Sequence, residues 1–289
     1  MSDRSFFARH RWLLARRLSQ AGVLGLFLAG PLLGISIAKG SLASSMTLGL
    51  LPLTDPLVLL QSIAAGHGPA ATALAGAAIV AAFYALVSGR AYCAWVCPVN
   101  PVTDAAHWLR ERLGIQSKGW QPRPATRLWM LAMVVAGSAL SGMVLWELVN
   151  PVTMLFRGLV FGLGFAWTLV LAVFVLDLLV ARRGWCSHLC PVGAAYGLLG
   201  ARSLVRVSAT DRAACDDCMD CFAVCPEPQV IVPALKGAGR GHGPVILDRD
   251  CTTCGRCIDV CNKSVFRFTH RFDDREGPAG AAPTREVTP

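Results

Sequence analysis

The sequence predicts a two-part chain. An all-α unit of four transmembrane helices with an internal parallel repeat comes first, and a small α+β unit organised by cysteines follows. Three observations predict it. Four runs are apolar enough for bilayer-crossing helices, the landmarks of the first two runs recur in the last two, and the C-terminal part carries two regularly spaced cysteine runs.

The apolar runs are approximately Leu18–Ala38, Ala70–Val87, Leu128–Trp146 and Leu159–Val180, against a need of about 20 residues per crossing. Composition agrees: 54% of the 289 residues are hydrophobic and 16% charged, where soluble domains carry about 25% charged residues. The net charge of +9 is distributed between the apolar runs and not gathered on one patch, which argues against a nucleic-acid partner. Arg4, Arg9, Arg11, Arg16 and Arg17 precede the first run. Arg90, Arg110, Arg112, Lys118, Arg123 and Arg127 lie between the second and third, and Arg182 and Arg183 follow the fourth. Residues 40–69 hold no Lys or Arg. By the positive-inside rule this pattern predicts a multi-pass protein of the bacterial inner membrane with both termini cytoplasmic. The expected units are a basic N-terminus at 1–17, the helical unit at 18–200, the cysteine-rich unit at 201–270 and a disordered tail at 271–289. A signal peptide is the alternative for the N-terminus, but no small-residue cleavage site follows the first run.

The repeat is read from its landmarks. Asp55-Pro56 and Cys93-Ala-Trp-Val-Cys97-Pro98-Val99 in the first half match Asn150-Pro151 and Cys186-Ser-His-Leu-Cys190-Pro191-Val192 in the second, at nearly the same spacing. A pseudo-two-fold axis along the membrane normal would bring Cys93 and Cys97 close to Cys186 and Cys190. Three readings stay open for these four. They form a four-thiolate site for iron, a cluster or zinc, or proline-terminated structural turns with cysteine as a small apolar residue, or a reversible dithiol.

All twelve cysteines belong to motifs, which argues for metal ligation over a disulfide framework. After a linker near 200–211, Cys215-x2-Cys218-x2-Cys221-x3-Cys225-Pro226 is followed by Cys251-x2-Cys254-x2-Cys257-x3-Cys261. This is the bacterial two-cluster ferredoxin pattern, in which the fourth cysteine of each run ligates the other cluster. Cluster 1 is expected on Cys215, Cys218, Cys221 and Cys261, and cluster 2 on Cys251, Cys254, Cys257 and Cys225. Asn262 replaces the second proline, which weakens a turn and leaves the ligands intact. A zinc module built from C-x2-C pairs is the alternative. The stretch 227–250 exceeds what a minimal two-cluster unit needs and includes a basic, glycine-rich loop at 236–243.

These residues, together with His10-Arg-Trp-Leu-Leu14, Pro52-Leu-Thr-Asp-Pro56, Trp146-Glu-Leu-Val-Asn-Pro151 and Cys218-Met-Asp-Cys221, resemble the NapH family of membrane ferredoxin-type proteins. The likeness covers nearly the whole chain, and the outer-loop and His-Arg-Trp matches favour NapH over relatives serving nitrous-oxide reduction and methylamine oxidation. The resemblance implies a component of a quinol dehydrogenase. It would pass electrons from the quinol pool towards periplasmic nitrate reductase, through a periplasmic ferredoxin-type subunit or a membrane-anchored tetrahaem cytochrome. Quinol oxidation also needs a proton acceptor, and Asp55, His67, Glu147 and Asp177 are the candidates; Asp177 is an ionisable residue inside an apolar run. The competing reading is an assembly or maturation factor that organises the redox complex. A transporter would need broken helices and midplane polar groups.

Overall fold

The computed structural model describes residues 6–35, 37–115, 125–162, 164–273 and 275. Among them no helix is long and apolar enough to cross a membrane. Three of the four apolar runs are interrupted for a local reason, and the second is short. The first lies in a 23-residue helix, Arg11–Leu33, whose opening turns carry Arg11, Arg16 and Arg17; it ends at Gly34, a left-handed residue, before a strand at Ala38–Gly40. The second gives the 16-residue helix Ala71–Leu86. The third gives Thr126–Ser141, also 16 residues, stopped by left-handed Gly142 before a short helix at Leu145–Val149. The fourth is split: Pro151–Phe161 ends at left-handed Gly162, and Gly164–Val175 runs into a wider turn at Leu176–Val180. Glycine stops helices this way because it accepts positive φ without a Cβ clash. The expectation of four transmembrane helices, and with it the multi-pass inner-membrane placement, is thereby overturned. Leu18, Leu140 and Phe165 on these helices are exposed.

Several of the arginines read as topology signals have structural partners, and Arg4 lies outside the described residues. Asp104, on the helix Asn100–Arg112, pairs with Arg16 at 3.3 Å, with Arg183 at 3.3 Å and with Arg17. Arg110 is buried and donates to the Leu178 carbonyl at 2.9 Å. Lys118 and Arg123 lie outside the described residues. The segment expected as an outer loop holds a three-stranded antiparallel sheet, Ala38–Gly40, Ser44–Thr47 and Leu51–Thr54, with Pro52 on an edge strand, where a missing N–H is tolerated.

The internal repeat is visible locally. Asp55 and Asn150 each cap a helix with proline at its first position: the Asp55 carboxylate accepts from Leu57 N at 2.8 Å, and the Asn150 side chain accepts from Val152 N at 3.0 Å. Such caps satisfy amides that have no partner inside the helix.

The C-terminal unit is built on a two-stranded antiparallel sheet, Val205–Ser208 against Arg267–His270. Its core contains Val207, Ile231, Ala234, Ile246, Val265 and Phe266. The segment expected as a linker is therefore partly the first strand, and Leu204 and Val205 amides bond the carbonyls of Leu86 and Val87. The stretch 227–250 contributes a helix, Ile231–Lys236, to the core. Of the expected tail, Arg271 is tied back to Leu204 and Ala201, while residues 276–289 lie outside the described residues.

Burial alone would raise the Asp104 carboxyl, but Arg183, Arg16 and Arg17 outweigh it and hold its pKa below the usual carboxylate value. Because the folded value is depressed, this stabilisation is complete above the unfolded pKa of about 3.9 and is lost as pH falls through the folded one. Asp104→Asn is expected to cost about 3 kcal/mol at neutral pH and to flatten the acid limb of the stability profile. Urea unfolding at pH 7 and pH 3 checks both.

Candidate functional site

The two ferredoxin-type runs fold as near copies. In each, the residues two and four places after the first cysteine have left-handed backbone: Asp217 (φ 57) and Met219 (φ 65) in the first, Thr253 (φ 47) and Gly255 (φ 73) in the second. A five-residue helix then starts just before or after the third cysteine position, Asp220–Val224 and Arg256–Val260. Left-handed residues in such turns make concave amide nests suited to anionic centres, iron–sulfur groups included.

The loops close two cavities. Cys215, Cys218, Cys221 and Cys261 line one of about 350 Å³. Cys225, Cys251, Cys254 and Cys257 line the other, of about 360 Å³. Each wall therefore takes three cysteines from one run and the fourth from the other run. No cysteine of the chain is in a disulfide. Burial, the largest effect, pushes the Cys221 and Cys251 thiols up to about 11, so loading a metal centre must displace protons. Soft sulfur donors, paired amide nests and matching cavities fit a cubane cluster in each. The first cavity is nearer the surface, since Cys218 is exposed; Cys254 and Cys257 in the second are buried.

The C-x3-C-P motifs sit on a pair of π turns. The Cys97 amide donates to the Tyr92 carbonyl at 3.0 Å, and the Cys190 amide to the Trp185 carbonyl at 2.9 Å. Such wide turns recur at functional sites. The four cysteines converge, each within electrostatic reach of the other three. Burial raises all four thiols, Cys190 to about 12. Among the described residues no group of three or more His, Cys, Asp or Glu is arranged to hold a metal ion. The C-x3-C-P quartet is thus assembled in one place.

Of the proton-acceptor candidates, Asp55 and Glu147 lie within electrostatic reach of each other, and most serve structural roles. Asp55 is a buried helix cap whose pKa burial raises to about 6. Glu147 accepts from Asn150 Nδ2 at 2.8 Å and Thr153 Oγ1 at 2.9 Å. His67 is exposed. Asp177 is fully buried, accepts from the Trp185 amide at 3.0 Å and so caps the second π turn; burial raises its pKa to about 7.

Sequence reasoning missed the charged hub between the units. Glu227 Oε1 accepts from Arg90 Nη1 at 2.7 Å and from Arg127 Nη1 at 2.9 Å, all three side chains being buried. Arg90 also donates to the carbonyls of Asp250 (2.8 Å) and Cys186 (3.2 Å), and Arg127 pairs with the Asp250 carboxylate. The signal was present in Cys225-Pro226-Glu227, an acid set directly after a cysteine, but nothing local named its partners. Burial raises the Glu227 carboxyl and the two guanidiniums more than reverse this. Replacing Glu227 with Ala leaves two buried cations facing Asp250 alone. We expect a loss of about 3–5 kcal/mol and faster amide exchange across 226–251; a melting temperature equal to wild type would refute the hub's structural weight.

Comparison with known proteins follows this geometry. A family model described as a 4Fe–4S dicluster domain matches residues 214–265, and one described as a 4Fe–4S binding domain matches 69–116 and 163–207, the segments that carry the C-x3-C-P turns. The methylamine utilization ferredoxin-type protein MauN of Methylorubrum extorquens is 56% identical over 91% of this chain and 90% of its own. The ferredoxin-type protein NapH is 50% identical in Haemophilus influenzae, over 91% of both chains, and 48% in Escherichia coli, over 94% of both. No solved structure matches. NapH and MauN are thus both relatives of this chain at similar overall identity. The chain carries 4Fe–4S clusters and belongs to the family of ferredoxin-type electron-transfer proteins that contains NapH and MauN.

Proposed function

We propose that this chain is the iron–sulfur component of a quinol dehydrogenase that passes electrons from the quinol pool towards periplasmic nitrate reductase. A periplasmic ferredoxin-type subunit or a membrane-anchored tetrahaem cytochrome is the expected partner. The observation that carries the reading is the pair of four-cysteine cavities within one unit, joined by a buried hub to the unit bearing the C-x3-C-P turns. In this reading Cys215, Cys218, Cys221 and Cys261 hold cluster 1, and Cys251, Cys254, Cys257 and Cys225 hold cluster 2. The clusters supply one-electron redox capacity. The protein's own part is to hold them in buried, amide-rich pockets and to fix one against the other through the crossed fourth ligands.

Anaerobic purification, iron analysis and cluster EPR with added quinol test this together. About eight irons with quinol-driven reduction are expected, and iron well above that number assigns a further centre to Cys93, Cys97, Cys186 and Cys190. Clusters that respond to dithionite but never to quinol, even with the partner subunits present, would overturn the quinol reading. Crossed ligation has its own signature. Cys261→Ser should perturb the cluster that Cys215→Ser perturbs, and Cys225→Ser the one that Cys251→Ser perturbs, as read by EPR line shape.

The likeness to MauN favours a second reading, in which the same carrier serves methylamine oxidation. A deletion strain decides between them: defective nitrate respiration supports the first, and defective growth on methylamine supports the second. Loss of cofactor from the terminal enzyme, in place of electron starvation, would point to an assembly role.

A further inference from the structure

An apolar cavity adjoining the cysteine loops is lined by none of Asp55, His67, Glu147 and Asp177, the residues considered for quinol oxidation. Its volume is about 510 Å³, within the roughly 300–1,000 Å³ typical of small-molecule sites. Its walls include Trp12, Tyr84, Ser88, Trp95, Thr253 and Phe268, and no lining residue is charged. A nucleotide or other phosphorylated cofactor would find no cation there. A neutral aromatic ring with polar oxygens at its two ends would find stacking surfaces and hydroxyl groups.

The polar groups sit at one place. Ser88 Oγ and Thr253 Oγ1 are 2.6 Å apart, and Trp95 Nε1 donates to the Thr253 carbonyl at 3.2 Å. The buried Trp12 Nε1 has no hydrogen-bond partner. Trp12 is edge-on to Trp95 and Phe268, with centroids 6.1 and 4.6 Å away. It also lies against Gly255, where an added Cβ would stand 2.7 Å from its Cγ.

The cavity's position matches the chemistry. Thr253 lies between Cys251 and Cys254, and Trp95 between Cys93 and Cys97. One wall therefore belongs to the loop expected to hold cluster 2, and another to the first C-x3-C-P turn. We infer that this aromatic cavity binds the ring of a quinol or quinone between its aromatic walls, with the Ser88–Thr253 hydroxyl pair serving its oxygens. The inference rests on the quinol reading above and adds to it a location.

Decylubiquinone titrated into the anaerobically purified full chain, followed by tryptophan emission, reads binding directly without turnover. Saturable quenching is expected, because two tryptophans line the cavity. Ala91→Phe and Val205→Phe, each at a lining residue, should weaken binding about tenfold or more while iron content stays at the wild-type value. Wild-type affinity in both filled variants, with iron retained, overturns the cavity and leaves the quinol reading standing. Absence of wild-type binding together with absence of quinol-driven cluster reduction overturns the reading itself. An azidoquinone photolabel on the unmodified protein decides the matter should the variants lose iron. Label on peptides spanning 83–96 or 252–268 supports the site, and label found only elsewhere refutes it.

Discussion

The arrangement depends on one carboxylate held between two guanidiniums. Glu227 follows directly on the Cys225-Pro226 turn, while Arg90 precedes the first C-x3-C-P turn and Arg127 opens the helix Thr126–Ser141. Three charges out of water are unfavourable singly, so the hub persists only because all three are present and further bonded to main chain. Arg90 bonds the Cys186 carbonyl and Arg127 reaches that of Ser187. One cluster of charges thus fixes both cysteine turns of the helical unit relative to the dicluster unit. An electron carrier needs this fixity, since relative motion of its units would vary the separation of its redox groups.

Close backbone approaches complete the joint. An added Cβ on Gly89 would strike the Tyr196 carbonyl, and one on Gly200 the backbone of Gly89. The two halves of the repeat meet here through main chain, with Tyr92 and Tyr196 stacked alongside at 4.8 Å. The pseudo-symmetric π turns then face each other across a core of Tyr92, Trp146, Val192 and Tyr196. Duplication has given two similar pieces different anchors: Asp177 caps the second turn, while the first is held by the Arg16 and Gln20 side chains bonding the Ala94 carbonyl.

Cysteine spacing made the dicluster unit legible. The runs beginning at Cys215 and Cys251 meet as the ferredoxin pattern requires, because ligand spacing is fixed by a short loop and little else. The repeat was legible too, since proline and its capping Asp55 or Asn150 act locally. Helix length was not legible. Hydropathy counts apolar residues but does not see Gly142 or Gly162 turning left-handed, nor a sheet forming at 38–54. The arginines misled for a related reason: an ion pair such as Arg16–Asp104 joins residues 88 positions apart, and sequence shows the charge without the partner. The charged hub and the aromatic cavity have the same character, being assembled from four or more distant segments.

The contact of Trp12 with the last helical turn of the dicluster unit has a consequence for how the chain is made. The first helix is capped not by its neighbours but by Asp259, whose carboxylate accepts from the amides of Trp12 and Leu13 at 3.1 Å across a separation of 247 residues. A ribosome delivers residues in order, at about 5–20 per second. The opening helix therefore leaves the exit tunnel many seconds before its cap exists. Its completion waits until Asp259 has been made, so a product truncated before that residue lacks more than its missing end.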